Sequence, residues 1–281
     1  GAGRLYELGQ RSVALITEGM KMGTSRNTGS DKQTYYKLST AGDAPDSVMK
    51  MAESYYAGGA MQGDQALVEA ANSLRCFYHL VGLGIPFPSN EYGEYVGYRT
   101  DHDSACRATS CGPLTSKLMT EALEAEVRGM KIPIFDGFRV VAIIRDEEKA
   151  LGLIAIDKAS QDQPTHGITL FACTNIIYAT GGPAGLYAAS VYPHSQTCAH
   201  GAAFEAGVKG VNLTEWQFGL ASTKFRWNVS GSYQQVIPRY VSTNPDGSDE
   251  REFLEEYFDT PGRLLDAIFF KGYQWPFDPR K

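Results

Sequence analysis

Apolar residues at helical spacing organise the first half of the chain, and glycines separate the helices that this spacing predicts. A short amphipathic helix should end at Gly9, because glycine is common just beyond a helix C-terminus. Residues 12–17 (SVALIT) predict a short buried strand that ends before Glu18. Residues 45–81 have largely helical spacing, with an expected break at Gly58-Gly59.

The period of the apolar positions changes after a predicted helix over residues 114–127. Four β-branched runs follow, separated by turns such as Asp136-Gly137, and they predict a β-meander that leads into a long apolar strand; the runs are residues 131–134, 139–145, 152–156 and 168–180. A helix over residues 198–207 is expected next. Residues 86–111 are rich in Tyr, Asn, Gly and Asp and predict an irregular segment.

The charge of the chain argues against several classes of partner. The formal net charge is -6, and no Lys/Arg cluster or basic stripe occurs, so nucleic acid is not an expected partner. No apolar run is long enough to span a bilayer. A protein of 281 residues with 43% hydrophobic residues can bury one large core or two ordinary ones.

The cysteine and acidic motifs do not predict a metal site. The five cysteines form no Cys-x-x-Cys pair, and Cys106 and Cys111 lack the partners that zinc requires. Reduced thiols in a cytoplasmic protein are the interpretation that this spacing favours. Asp101-His102-Asp103 has the composition of a metal cluster or proton relay. Neighbouring side chains on an extended segment point to opposite sides, which favours a solvated loop.

The order helix, glycine, short strand and acid at the start of the chain is typical of the second half of a dinucleotide-binding βαβ unit. Gly1-Ala2-Gly3 is not the glycine fingerprint of that unit, because Tyr6 stands where helix–strand packing needs Gly or Ala. The first strand and its glycine-rich turn are therefore expected upstream. Glu18 is the candidate acid for the ribose hydroxyls, and a surface glutamate after a strand is the alternative.

A second glycine motif stands at the end of the last apolar run. Residues 176–182 (IIYATGG) lead an expected buried strand into Thr180-Gly181-Gly182, and a loop of small residues follows. Glycine at such a point lets the backbone approach a ligand without a side chain in the way. A plain turn after a buried strand is the alternative interpretation.

Four segments in the same order resemble one protein family. They are VALITEG with GTSRNTGSDKQ, GDQALVEAANSLRCFYHLVGLGIPF, the ATGG segment with its His/Thr loop and GAAFEAG, and LTEWQF. Each is similar to a motif of the FAD-binding flavoprotein family of succinate dehydrogenase, fumarate reductase and L-aspartate oxidase. Together they cover most of residues 2–217.

The resemblance implies an α/β fold: a partial Rossmann-like FAD-binding domain with a β-meander over residues 1–217, and the start of an α+β capping domain over residues 218–281. It implies an FAD-dependent oxidoreductase that transfers a hydride between the flavin and a small organic substrate. An electron-transfer partner is a further expectation. A non-catalytic flavin- or nucleotide-binding module and an inactive fragment of the enzyme are the alternatives.

The resemblance also implies the cofactor-binding residues, which lie in two loops besides Glu18. They are Ser25, Asn27, Thr28 and Gly29 along the flavin in the first loop, and Thr180, Gly181, Gly182 and His194 in the second. Asn27 stands where membrane-bound members carry the flavin-linking histidine, so FAD is expected to bind without a covalent bond. The alternatives are that the first loop only builds turns, and that His194 is only hydrogen-bonded.

The chain departs from the family where the family handles its substrate. Gly219-Leu220-Ala221 stands in place of the family's His-Pro-Thr, and glycine has no side chain to bind a substrate carboxylate. The usual dicarboxylate site is therefore not expected. His200 stands where the family has Asp, and no catalytic residue is assigned; surface ion pairs are the expectation for Arg226, Arg239 and Arg263.

Overall fold

The structure of the chain is a computed structural model. It describes residues 1–27, 29, 33–42, 45–59, 61–100, 103–182, 199–211, 213, 221–222, 227–228 and 236–272. In those residues no helix is both long enough and apolar enough to cross a bilayer.

The described chain contains seven α-helices and twelve strands. In order they are α1 (Ala2–Glu7), β1 (Leu15–Thr17), α2 (Thr24–Asn27), β2 (Tyr35–Tyr36), α3 (Val48–Ala57), α4 (Gly63–Gly82), β3 (Tyr98–Thr100), β4 (Asp103–Thr109), α5 (Thr115–Gly129), β5 (Ile134–Asp136), β6 (Phe138–Arg145), β7 (Ala150–Asp157), β8 (Ile168–Ala172), α6 (His200–Glu205), β9 (Ala221–Ser222), β10 (Trp227–Asn228), β11 (Val241–Ser242), β12 (Arg251–Glu252) and α7 (Pro261–Gly272). A 3-10 helix over Leu254–Tyr257 precedes α7.

The elements form two compact units that interleave along the chain. The first unit comprises Gly1–Thr28, Gly82–Ile85 and Ser116–Asn228, and the second comprises Gly29–Val81, Pro86–Thr115 and Val229–Lys281. Sequence reasoning expected a single boundary after Gln217, and that boundary stays a prediction. The mixture of helices with parallel and antiparallel strands confirms the α/β class.

The first unit contains one parallel strand pair and one antiparallel sheet. β1 pairs with β5 in parallel, with Leu15 opposite Ile134 and Thr17 opposite Asp136. The last three of the four predicted β-branched runs form a three-stranded antiparallel meander of β6, β7 and β8, whereas the first run contributes β5, which pairs with β1 instead. The rings of Phe135, Phe138 and Phe171 pack edge to face, with centroids 4.9–5.8 Å apart.

The last predicted strand is shorter than the apolar run that suggested it. β8 ends at Ala172, opposite Gly152, so the prediction of a strand as far as Thr180 is wrong beyond that residue. One further backbone hydrogen bond joins the Cys173 N–H to the Leu151 carbonyl. Because β7 begins at Ala150, residues beyond Cys173 have almost no part of β7 left to pair with, and the antiparallel pairing ends.

Two helices of the first unit end on the same glycine motif. Gly9 follows α1 with φ +91, and Gly207 follows α6 with φ +84. Beyond α1, the Gln10 N–H bonds the Leu5 carbonyl and the Gly9 N–H bonds the Tyr6 carbonyl, which is the Schellman pattern. The same two bonds occur beyond α6. Only glycine adopts this left-handed conformation at little cost, so the helix end predicted at Gly9 is confirmed.

The second unit packs α3 and α4 around its small core. Its helices are separated at Gly58 and at Gly59, whose φ is +77, as the sequence predicts. The cluster consists of Met51, Ala52, Ala66 and Ala70, with Tyr36, Leu38, Val48, Tyr55 and Met61 around it. Ser47 caps α3, since its side chain accepts a hydrogen bond from the Lys50 N–H.

Residues 86–97 contain no helix or strand, as expected, but residues 98–100 and 103–109 belong to a three-stranded antiparallel sheet, which corrects the expectation of an irregular segment there. The order of the sheet is β2-β4-β3, with Tyr35 opposite Thr109 and Tyr98 opposite Ala108. The strands are short and irregular in register, so they lack the long alternation that reveals a strand in sequence. Gly97 is required beside them, because a Cβ there would overlap the carbonyl oxygen of Cys106.

Candidate cofactor-binding site

The first candidate residue, Glu18, lies directly after β1 in a cluster of opposite charges. Nε and Nη2 of Arg139 donate to Oε1 of Glu18 at 3.0 and 2.6 Å. Nζ of Lys158 lies 3.7 Å from the same oxygen. The hydrogen bonds and charge of Glu18 raise the pKa of Arg139. Sequence reasoning identified the acid but missed both cations, because their approach depends on how the meander returns to the end of β1.

The segment after Glu18 is fixed by side chains to the parallel strand pair. The Gly19 N–H donates to Oγ1 of Thr17 at 3.3 Å, and the Met20 N–H donates to Oδ1 of Asp136 at 3.0 Å. Asp136 is the last residue of β5, the strand beside β1. The ends of both strands therefore hold the backbone that presents Glu18.

Ser25 and Asn27 lie on α2, a single turn of helix. The side-chain amide of Asn27 donates to the Lys21 and Gly23 carbonyls at 2.7 and 2.9 Å, so Asn27 stabilises the preceding turn. Ser25 is exposed. Thr28 lies outside the described residues. The turn-building alternative accounts for the present contacts of Asn27, and contact of this segment with a cofactor stays a prediction.

A buried ionic contact attaches α2 to α5. The guanidinium of Arg26 donates to Oγ1 and the carbonyl of Thr120 at 3.0 and 3.1 Å. It also donates to Oε2 of Glu124 at 2.8 Å, and both side chains of this ion pair are mostly buried. Hydrogen bonds from Arg26 and Arg128 lower the pKa of Glu124. The short helix thus depends on α5 for its position.

Gly29, which belongs to the second unit, occupies a crowded position. A Cβ there would lie 3.1 Å from Cδ2 of Leu114 and 3.3 Å from the carbonyl oxygen of Pro113. These are tight contacts, and Gly29 itself is exposed on its other side. The close approach of Leu114 is therefore one reason for glycine at this position, independent of any ligand.

The second candidate loop begins at Thr180-Gly181-Gly182, after the apolar segment that follows β8. Thr180 and Gly181 are exposed and Gly182 is half-buried. The φ of Gly181 is +85, a conformation that side-chain-bearing residues rarely adopt. Glycine is therefore required by the backbone at Gly181. His194 lies outside the described residues.

A tyrosine joins this segment to the start of α6. The phenol Oη of Tyr178 donates to the carbonyl of Ala199 at 2.6 Å, and burial raises the pKa of Tyr178. Ala199 immediately precedes His200, the first residue of α6. Sequence reasoning missed Tyr178, which reads as one more apolar residue of a buried strand.

The remaining candidate residues are surface groups or lie outside the described residues. Arg239 forms exposed ion pairs with Glu250 and Glu252, and Arg263 forms one with Asp259, in agreement with the surface role expected for them. Arg226 and residues 219–220 lie outside the described part of the chain, as do Asp101 and His102. The catalytic residues therefore stay unassigned.

Comparison with known families identifies a match over most of the chain. A profile described as "FAD binding domain" matches residues 2–236, a span that contains all nine candidate cofactor-binding residues. A search of curated proteins found no match. The family resemblance expected from the four sequence motifs is confirmed by this profile.

Solved structures with a similar fold include an Sdh1, a quinol fumarate reductase and an adenylylsulfate reductase. Sdh1 of Mycobacterium smegmatis in complex with UQ1 has a TM-score of 0.66 at 15% identity, over 95% of this chain and 47% of that chain. Quinol fumarate reductase of E. coli has a TM-score of 0.61 at 19% identity, over 72% and 34%. Adenylylsulfate reductase of Archaeoglobus fulgidus has a TM-score of 0.52 at 15% identity, over 73% and 33%. The chain thus spans about a third to a half of these proteins.

Proposed function

Because this chain belongs to the FAD-binding-domain family, we propose that it binds FAD without a covalent bond and serves an FAD-dependent oxidoreductase. The observation that carries the proposal is the family match over residues 2–236, which includes the acid after β1 and the glycine turn at residues 181–182. Both features lie in the first unit. The reaction we propose is hydride transfer between the flavin and a small organic substrate.

The residues present fit a dinucleotide cofactor. Glu18 offers carboxylate oxygens at the end of a parallel strand, where dinucleotide folds bind ribose hydroxyls. Gly181 has an exposed backbone in a conformation that disfavours residues with a side chain, which suits close approach of a large ligand. We assign Ser25, Asn27, Thr28 and Gly29 to the flavin side of the site, together with Thr180, Gly182 and His194.

In the proposed reaction, the residues of this chain bind and orient the cofactor. FAD, when bound, supplies the centre that gains or loses the hydride. Glu18 holds the ribose by accepting hydrogen bonds, and the turn at Gly181 leaves space for the cofactor. Asn27 has no imidazole, so this position cannot form a histidyl–flavin bond, and the cofactor is held by non-covalent contacts alone.

The proposed substrate is a small organic molecule that is not held as a dicarboxylate in the family's usual manner. Gly219 stands where the family has a histidine that binds a substrate carboxylate, and glycine cannot supply that hydrogen bond. An electron-transfer partner is also part of the proposal, since one solved structure of similar fold is an Sdh1 complex. A cytoplasmic location stays a prediction.

Visible absorption spectroscopy of the purified chain tests the proposal. The chain is mixed with FAD and desalted, and we expect a bound flavin spectrum that is bleached by dithionite. Denaturation followed by ultrafiltration should then release all the flavin into the filtrate. Flavin retained on the denatured chain would contradict the non-covalent part of the proposal. Failure to bind FAD up to the millimolar range, both in this chain and in a version extended upstream by the expected first strand and glycine-rich turn, would contradict the whole proposal.

Catalysis is tested separately from binding. The dithionite-reduced, flavin-loaded chain is mixed with a panel of unsaturated acids and ketones, and reoxidation is followed under anaerobic conditions. Reoxidation by one class of acceptor supports the oxidoreductase. Tight flavin binding without reoxidation by any acceptor supports the alternative, a flavin-binding module without catalysis.

A further inference from the structure

The carboxylate of Glu18 is held from one side only. Arg139 donates two N–H groups to Oε1, and Lys158 lies 3.7 Å from that same oxygen. From the residues that the structure describes, no hydrogen bond or ion pair reaches Oε2. The side chain of Glu18 retains 22% of its exposure. The carboxylate therefore has one occupied oxygen and one that can accept a hydrogen bond from a ligand.

The position of Arg139 follows from the strand pairing. β1 and β5 run in parallel, so Glu18 and Gly137 leave the sheet at the same edge. Gly137 turns the chain with φ +89, and Arg139 is the second residue of the strand that begins there. The Lys158 N–H bonds the carbonyl of Gly137 at 3.1 Å and fixes the turn to the end of β7. The backbone thus sets both cations beside the acid.

We infer that Arg139 is a positioning residue for the cofactor: it fixes Oε1 of Glu18 so that Oε2 alone accepts a hydroxyl of the adenosine ribose of FAD. This inference rests on the proposed function. The guanidinium fork restricts rotation of the carboxylate about its last bond, since both N–H groups converge on one oxygen. A carboxylate that is already oriented loses less freedom when the ribose binds.

The inference predicts that Arg139 affects binding only of ligands that contain the adenosine half. Arg139→Met removes both donors and keeps much of the side chain's apolar length. We expect the Kd for FAD to rise about fivefold, because an exposed pair of this kind contributes modestly. The Kd for FMN, which lacks adenosine, should be unchanged. Arg139→Lys keeps the charge without the fork and should restore only part of the affinity.

The control variant is Arg128→Met, in which an ion pair of the same unit is removed. Arg128 pairs with Glu124 at 2.8 Å, and its side chain is 55% exposed, close to the 57% of Arg139. Both variants should unfold at similar temperatures. Only Arg139→Met should change the ratio of the FAD and FMN dissociation constants.

A double-variant cycle completes the test, with isothermal titration of FAD, FMN and ADP into each variant. In the Glu18→Gln background, Arg139→Met should have no further effect on FAD affinity, since the positioned carboxylate is gone. The inference is overturned if Arg139→Met leaves the FAD-to-FMN ratio unchanged, or if the two substitutions act additively. If the wild-type chain binds neither FAD nor ADP, the proposed function and this inference both fail. If the wild-type chain binds FAD but Arg139→Met leaves the FAD-to-FMN ratio unchanged, only this inference fails.

Discussion

Arg107 and Asp46 form an almost completely buried ion pair in the second unit. Nη2 of Arg107 lies 2.7 Å from Oδ1 of Asp46, Nε lies 2.9 Å from Oδ2, and the side chains are 3% and 1% exposed. Arg107 is on β4, and Asp46 precedes the N-cap of α3. The backbone N–H groups of Ser39 and Ser47 also donate to Asp46, so the pair joins the sheet to the helix.

Removal of one partner should unfold the second unit more easily. Arg107→Met leaves the buried carboxylate of Asp46 without its guanidinium, which should cost roughly 3 kcal/mol of unfolding free energy. The measurement is the midpoint of urea unfolding. Arg263→Met, in an exposed pair with Asp259, serves as the control and should change stability by less than about 1 kcal/mol. Equal effects of the two substitutions would show that burial does not strengthen the first pair.

The same carboxylate should make stability depend on acid pH. Burial alone raises the pKa of Asp46, but hydrogen bonds from Arg107, Ser39 and Ser47 outweigh it and hold that pKa below the ordinary 3.8. A depressed native pKa contributes stability that is complete above the unfolded value and is lost as pH falls through the native one. The stability difference between wild type and Asp46→Asn should therefore shrink below pH 3.8. A difference that is constant from pH 6 to pH 2.5 would contradict this.

Lys37 should destabilise the fold at neutral pH. Its side chain is fully buried, and it lies 5.4 Å from the Phe77 ring centre. Among the described residues, its Nζ donates a hydrogen bond only to the Leu38 carbonyl, at 3.4 Å. Burial lowers the pKa of Lys37, partly against the attraction of Asp46. Lys37→Met should stabilise the chain by about 1 kcal/mol at pH 7, with the exposed Lys209→Met as a neutral control.

The advantage of Lys37→Met should shrink at higher pH. Because the native pKa is below the unfolded value of 10.5, the unfolded chain binds more protons between the two, and wild-type stability rises with pH there. Urea unfolding at pH 7 and pH 9.5 measures this change. Both measurements stay below pH 10, because burial raises the pKa of Tyr35 and of Tyr98. Above that pH, ionisation of these tyrosines in the unfolded chain would make stability fall as pH rises. An advantage that grows with pH would contradict the prediction.

Gly181→Ala should cost about 1 kcal/mol of stability, because an alanine at φ +85 meets its own backbone. The matched control is Gly129→Ala, at the end of α5, where a Cβ meets open space and φ is ordinary. Differential scanning calorimetry of both variants without flavin isolates the backbone effect. Identical melting temperatures for the two variants would argue against a left-handed Gly181.

Gly182→Val should abolish flavin binding and leave the fold intact, because the side chain would stand where we place the cofactor against the backbone. Circular dichroism checks the fold, and FAD titration measures the affinity. Gly129→Val is the control for the added bulk. Unchanged flavin affinity in Gly182→Val would refute the placement of this turn beside the cofactor.

The helices and the meander could be predicted from sequence because their signals are local. Residues 45–81 repeat their apolar positions at helical spacing and break at two glycines, and α3 and α4 end and begin there. β6 and β7 are joined by residues 146–149, and β7 and β8 by residues 158–167, so runs that follow one another in sequence pair with each other. In both cases neighbours in sequence are neighbours in space.

The missed features depend on residues far apart in the chain. β3 and β4 pair with an irregular register, and the partner of β2 lies more than 70 residues away. Arg139 reaches Glu18 only because β1 pairs with β5. The sequence shows the charges of Arg139 and Glu18 and the apolar runs of β1 and β5. It does not show that β1 pairs with β5, and this pairing brings the two charges together.

The pairing of β1 with β5 also bears on how the chain is made. Leu15 and its partner Ile134 are separated by roughly 120 residues, so at about 5–20 residues per second a ribosome delivers the second strand some 6–24 s after the first. Throughout that interval the described partner of β1 does not yet exist. The meander, by contrast, can close as soon as its own turns emerge. The acid that we assign to the ribose can therefore be positioned only after β5 has been synthesised.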